Sequence, residues 1–120
     1  MKTIIHADNS EFFRKLVKTF LTEHGYESDS LELAKEALEI INAGQVGLII
    51  TGLSFSDMEG ADFVKRIAGS PYTVPIIALT ANESPEIERE LSGLVKGWVH
   101  KSGAWQEQIL PMIKQYFNRE

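Results

Sequence analysis

Short apolar runs and amphipathic helical patterns take strict turns along this chain, five of each, and that alternation leaves few folds open. The β-like runs are Thr3–Ala7, Tyr26–Ser30, Val46–Thr51, Val74–Thr80 and Gly97–His100. Most are short, apolar and bounded by turn residues, the look of strands covered on both faces. A strand, a helix and a second parallel strand connect through a right-handed crossover, so repeated units build a parallel sheet with helices on each side. The expected fold is α/β: a three-layer, doubly wound (βα)5 sandwich of flavodoxin-like type, with strand order 2-1-3-4-5. No repeat, low-complexity tract or linker interrupts the pattern, and 120 residues make one domain, 1–120.

The helices carry their own start and stop signals. The first begins at Asn9 or Ser10, both good N-caps, shows Phe13, Leu16, Val17 and Phe20 on one face, and stops at Gly25. The second shows Ala34, Ala37, Leu38 and Ile41 and ends near Gly44; the third, after Gly60, shows Phe63, Val64 and Ile67 and ends near Gly69. Ser84-Pro85 opens the fourth, with Glu86 and Glu88 at its positive end. The fifth carries Trp105, Ile109, Met112, Ile113 and Tyr116, and Pro111 inside it predicts a kink, because the lost N–H and the ring clash cost about 3 kcal/mol.

Composition serves mainly to exclude. Without cysteine there is no disulfide, thiol nucleophile or thiolate metal cluster, and a cytoplasmic location is expected. The opening "MKTIIHADNS" turns polar too early for a signal peptide, and "VGLII" and "VPIIAL" fall far short of a membrane span. A net charge of −5 with no clustered basic face argues against direct binding to nucleic acid, so proteins are the expected partners.

In the 2-1-3-4-5 frame, Asp8 and Asn9 follow the first strand, Gly52 follows the third, Thr80 ends the fourth and Lys101 follows the fifth, all beside one crevice. With "ADNS" at 7–10, "IITGLSFSDMEG" at 49–60, "PIIALTA" at 75–81 and "GWVHKS" at 97–102, the whole chain resembles the receiver domains of two-component response regulators. That family has an acidic pair after strand one, a phospho-accepting aspartate after strand three, a Ser or Thr after strand four, and a lysine, usually followed by proline, after strand five. The resemblance makes Asp8 the first acid and puts Asn9 in place of the second. Gly52 falls at the acceptor position, while Thr80 and Lys101 match. Ser102 stands for the proline, and Phe55-Ser56 for a common Met-Pro. The resemblance therefore implies a degenerate, pseudo-receiver form.

Phosphoryl transfer to a protein needs a nucleophile aligned with the donor, and glycine supplies none. Magnesium asks for one or two carboxylates in an octahedral oxygen shell, and Asp8 is the one anionic ligand left. No cofactor is expected, and Mg2+ binding should be weak or absent. Three carboxylates and a lysine sum to −2, which invites a divalent cation, whereas Asp8 and Lys101 sum to zero. A direct or water-bridged pair between Asp8 and Lys101 is the expected replacement. Asp57, five residues past Gly52, should project away from the crevice into solvent and not substitute as nucleophile.

Other residues have plain explanations. His6 reads as a hydrogen-bonded histidine near the sheet surface, His24 as a helix-end residue at the negative pole, and His100 as pointing away from the Lys101 side. Asn82-Glu83-Ser84 has the form of a glycosylation acceptor, but the N-cap role of Ser84 explains it better. Thr80 is either a strand-end hydroxyl or a retained switch residue. Trp98 stands where receivers usually carry a Tyr or Phe; it is either wedged into the core or exposed as a partner anchor, and the partner-facing ring is favoured.

The leading reading is a receiver-like signalling module of a two-component or phosphorelay pathway that acts by protein contact without phosphorylation and is not an enzyme. Its expected face is the fourth helix, fifth strand and fifth helix, including Trp98 and the flanks Glu86 to Glu90 and Gln106 to Lys114. Its partners would be other signalling proteins, further domains of the same chain beyond Glu120, or a second copy, with no membrane contact. A second reading is an ordinary phospho-accepting receiver in which Gly52 replaces the acceptor aspartate. A third, a flavodoxin-type small-ligand binder, needs a phosphate- or ring-binding loop after strand one, and "ADNSEF" has no glycine to make it.

Overall fold

The structure, a computed structural model, describes residues 2–81 and 84–117. Its elements alternate as the periodicity requires: β1 (Thr3–Ala7), α1 (Glu11–Glu23), β2 (Ser28–Leu31), α2 (Ala34–Asn42), β3 (Val46–Thr51), α3 (Gly60–Ala68), β4 (Ile76–Thr80), α4 (Pro85–Glu90), β5 (Gly97–His100) and α5 (Trp105–Tyr116). All strand pairs are parallel, and the sheet order is β2-β1-β3-β4-β5.

Strand alternation divides the apolar residues into two cores. On one face Ile5, Ala7, Ile49 and Ile76 pack with Ala34, Ala37 and Ile41 of α2 and with Phe63, Val64 and Ile67 of α3. On the other, Ile4, Leu48, Ile50, Ile77 and Leu79 pack with Val17 and Leu21 of α1 and with Trp105, Ile109 and Ile113 of α5. Every residue of β3, the central strand, is buried.

Two strands start later than their sequence patterns suggest. β2 begins at Ser28, not Tyr26: the Tyr26 N–H donates to the Leu21 carbonyl, closing the end of α1, and its ring stacks edge-on against Phe117 at 5.6 Å. β4 begins at Ile76, not Val74, because Pro75 has no N–H to enter the ladder, although its carbonyl accepts from Ile49 N. In α1 the cap is Ser10, whose Oγ accepts from Phe13 N at 3.3 Å, and Gly25 at φ +81° terminates the helix. Leu16 is 36% exposed, so the buried stripe of α1 is Val17 and Leu21. The imidazole of His24 lies 2.8 Å from the Phe20 carbonyl at the C-terminal end, as its helix-end position suggests.

α5 runs unbroken through Pro111, which sits on the exposed side of the helix with Glu107 one turn before it. The carbonyl left without its intrahelical donor is thus on the solvent side. In α4, Ser84 caps Ile87 N at 3.3 Å. Asn82 and Glu83 of the glycosylation-like triplet lie outside the described residues.

Gly60 fixes the loop between β3 and α3. Ser54 and Glu59 form an antiparallel bridge that folds the loop back on itself, and a Cβ at position 60 would overlap the carbonyl and Cα of Leu53. Backbone cannot swing aside as a side chain can. We expect Gly60→Ala to lower stability by about 1 to 3 kcal/mol, from overpacking, in a urea unfolding curve with unchanged slope. An unchanged midpoint would contradict this.

Candidate functional site

The carboxyl ends of β1, β3, β4 and β5 bring the sequence-marked residues together. Asp8 is the first residue past β1 and is 1% exposed. Its N–H donates to Leu31 O, its Oδ1 accepts from Ser10 N at 2.9 Å, and its Oδ2 lies 2.8 Å from Lys101 Nζ. The direct pair expected between Asp8 and Lys101 is therefore present. Lys101 follows β5, where its N–H donates to the Thr80 carbonyl; its stem is covered, and its ammonium stands 4.5 Å from the centroid of the Phe13 ring, a cation–π contact.

Gly52 is buried directly beside this pair. Its N–H donates to Ala7 O at 2.9 Å and its carbonyl accepts from the Thr51 hydroxyl at 2.6 Å. Its φ is not positive, and an added Cβ would meet Asp8 Cγ at 3.4 Å, an ordinary contact. The backbone thus has no need of glycine here. Thr80 is buried at the end of β4, and Asn9 points into solvent between Asp8 and the Ser10 cap.

Two neighbours of Asp8 gave little sign of themselves in sequence. His6 is fully buried rather than near the sheet surface, with Nε2 3.6 Å from Asp8 Oδ2. Burial pushes its pKa below the ordinary value despite the nearby carboxylate, so the ring is neutral. Arg14, one turn into α1, donates from Nη1 to the Asp8 carbonyl at 2.8 Å. For Asp8 itself, burial acts to raise the pKa, but His6, Lys101 and the Ser10 N–H together hold it below the usual carboxylate range.

Asp57 does point away from the crevice, yet not into open solvent. Its carboxylate accepts from Ala34 N at 3.1 Å and Lys35 N at 2.9 Å, capping α2, whose own N-cap Leu33 has no side chain able to do so. Those backbone donors, Lys35 N foremost, keep its pKa low. Trp98 lies between the two alternatives posed for it. It is half-buried against the α2–α3 core and lines a small cleft with Leu53, Ser84, Ile87 and Glu88.

The lowered pKa values of His6 and Asp8 set a pH dependence. The unfolded chain takes up a proton on His6 below about pH 6.5 and the folded chain only at a lower pH, so stability falls on acidification from there; Asp8 adds a further loss as pH drops through its folded value, below the ordinary 3.9 or so. We expect unfolding free energy to decline between pH 7 and 5 with a His6 contribution of up to about 1.4 kcal/mol per pH unit. His6→Gln should flatten that slope. An equal slope in parent and variant would refute it.

Comparison with known proteins identifies the family. The chain matches the response regulator receiver domain over residues 4–113. It is 32% identical over 97 residues to the transcriptional regulatory protein BasR of Escherichia coli, covering 81% of this chain and 42% of BasR. It is 31% identical over 94 residues to the autoinducer 1 sensor kinase/phosphatase LuxN of Vibrio campbellii, covering 78% of this chain and 11% of LuxN. The chain thus spans less than half the length of these curated relatives. Among solved structures it is similar to the response regulator TrrA of Thermotoga maritima, in complex with Mg2+ and BeF, at 26% identity and a TM-score of 0.86, with 98% and 100% of the two chains covered. It is similar also to the chemotaxis protein CheY4 of Vibrio cholerae, at 27% identity and a TM-score of 0.82, covering 98% and 99%. With residues 4–113 matched by the family model and relatives more than 30% identical over most of its length, this chain belongs to the response regulator receiver domain family.

Proposed function

We propose that this receiver works without phosphorylation, relaying a signal through protein contact alone. The observation that carries the reading is Gly52, a residue with no side chain at the end of β3, set beside an Asp8–Lys101 pair that already cancels its own charge. An acyl phosphate needs a carboxylate nucleophile at that point. A magnesium site needs more than Asp8, whose Oδ2 is held by Lys101, while Asn9 is turned to solvent. The residues present do not fit the ion, and Mg2+ binding is expected to be weak or absent.

The face formed by α4, β5 and α5, with Trp98 half-exposed in its cleft, is the surface assigned to partners. Those partners are other signalling proteins, further domains of the same chain, or a second copy. The domain acts as a signalling module, not as an enzyme, and is assigned to the cytoplasm; no helix among the described residues is long and apolar enough to cross a membrane.

A second reading has one specific observation in its favour. Because position 52 has ordinary backbone and room for a Cβ, an aspartate there would be accommodated, as in an ordinary receiver in which glycine has replaced it. Asn9 weighs against a single replacement. Incubation with a small acyl phosphate and Mg2+ separates the two. We expect intact-mass measurement to find no hydroxylamine-labile phosphate on the parent, little on Gly52→Asp, and clear uptake only on the Asn9→Asp/Gly52→Asp pair. Robust Mg2+-dependent uptake by Gly52→Asp alone favours the second reading, and a labile phosphate on the parent overturns the first.

A further inference from the structure

The α1 side of strand β2 is where this fold leaves polar atoms unanswered. β2 is an edge strand, paired with β1 so that Ser28 lies beside Ile4 and Ser30 beside His6. In-register neighbours of a parallel pair point to the same side, so both hydroxyls turn toward α1, where the inner strands place Leu48, Ile50, Ile77 and Leu79. Ser28 is only 5% exposed. Its Oγ and that of Ser30 are buried with no hydrogen-bond partner, as are both ring nitrogens of His6. A buried donor left unpaired is costly, and a position needed only for packing would carry Val or Ile.

Above these hydroxyls, α1 presents Arg14, Lys15 and Lys18 along a groove of about 580 Å3 floored by Ser28, Asp29 and Ser30. The sequence pattern hid this basic strip, because the net charge of −5 is spread over the rest of the chain. Lys15 is paired with Glu11 at 3.3 Å. Arg14 and Lys18 then face Asp29 alone, leaving a local excess of positive charge. Both are also held in position: Lys18 Nζ donates to the Ser28 carbonyl, and Arg14 Nη1 donates to the Asp8 carbonyl. Each keeps N–H groups to spare.

We propose that the groove between α1 and β2 binds a small phosphate-bearing molecule, its phosphate held by Arg14 and Lys18 and by the hydroxyls of Ser28 and Ser30. A guanidinium fork, a point-charge ammonium and two hydroxyl donors suit the several oxygens of a phosphate better than one planar carboxylate. The groove is of a size that takes a sugar phosphate or a nucleotide, not an ion alone. Arg14 touches both the groove and Asp8, so an occupant would act one side chain away from the Asp8–Lys101 pair. Binding itself does not depend on how position 52 is read, and the test measures binding alone.

The isotope-labelled chain is titrated with inorganic phosphate and separately with ribose 5-phosphate, each against sodium chloride at matched ionic strength, following backbone amide resonances. We expect saturable shifts at Lys18, Ser28, Asp29 and Ser30 that chloride does not reproduce. Tighter binding of ribose 5-phosphate assigns the site to a phosphate monoester; equal binding assigns it to the free anion. Lys18→Gln and Ser28→Ala should each weaken binding by about tenfold, with the loss of one charge-assisted or hydroxyl contact. Ser28→Ala should do so without lowering the urea midpoint, since the hydroxyl it removes has no partner; should it fail to fold, the surface variant Lys18→Gln decides. Shifts matching those of chloride, shifts confined to Thr80 and Lys101, or parental affinity in Lys18→Gln would overturn the proposal.

Discussion

The buried contact between Asp8 and Lys101 is the interaction on which the site depends. It joins the carboxyl end of β1 to that of β5, across the two strands that separate them in the sheet. Neither group could be left there alone. A lone buried ion costs several kcal/mol in desolvation, and the pair persists because Asp8 also accepts from Ser10 N while the Lys101 ammonium stands over the Phe13 ring. The same contact explains why Asp8 stays ionised in a place where burial alone would protonate it. It also balances charge within the crevice, the lysine answering the carboxylate directly.

Around that pair the loops are held by contacts between elements more than by their own sequence preferences. Asp57 reaches from the β3–α3 loop to cap α2, so the start of one helix depends on a loop that belongs to another. Gly60 lets the same loop close against Leu53. Arg14 ties the first turn of α1 to the Asp8 carbonyl. The loop following Gly52 is thus anchored at both ends, and the empty side-chain position sits in an otherwise ordinary receiver framework.

The parallel sheet covered on both faces was readable in advance because it follows from periodicity and from the handedness of parallel crossovers; the order 2-1-3-4-5, which brings Asp8, Gly52, Thr80 and Lys101 together, was one of two such orders and the one the structure has. Strand starts were less so. Tyr26 looks like a strand residue by type, but its N–H is claimed by the end of α1, and Val74 is followed by a proline that cannot join the ladder. Leu16 fits the apolar stripe of α1 by spacing, yet the helix meets the sheet along Val17 and Leu21. His6, Arg14 and Asp57 owe their roles to partners distant in sequence or in another element, and no local pattern encodes a capping residue 22 or 23 positions away from the helix it caps.

The strip of polar atoms beneath α1 connects these two themes. Asp8, His6, Ser30 and Ser28 make the α1-facing side of β1 and β2 polar at all but Ile4, where the neighbouring strands are aliphatic. In a receiver controlled at the end of β3, hydroxyls in that place would cost stability and do nothing for the chemistry, since they lie along an edge strand and not at the crevice. If glycine at the end of β3 removes the acceptor, as proposed above, the α1–β2 groove offers another route for control. Arg14 is the one side chain that both lines the α1–β2 groove and holds the Asp8 backbone. A shift of its guanidinium toward a bound anion would loosen its bond to the Asp8 carbonyl.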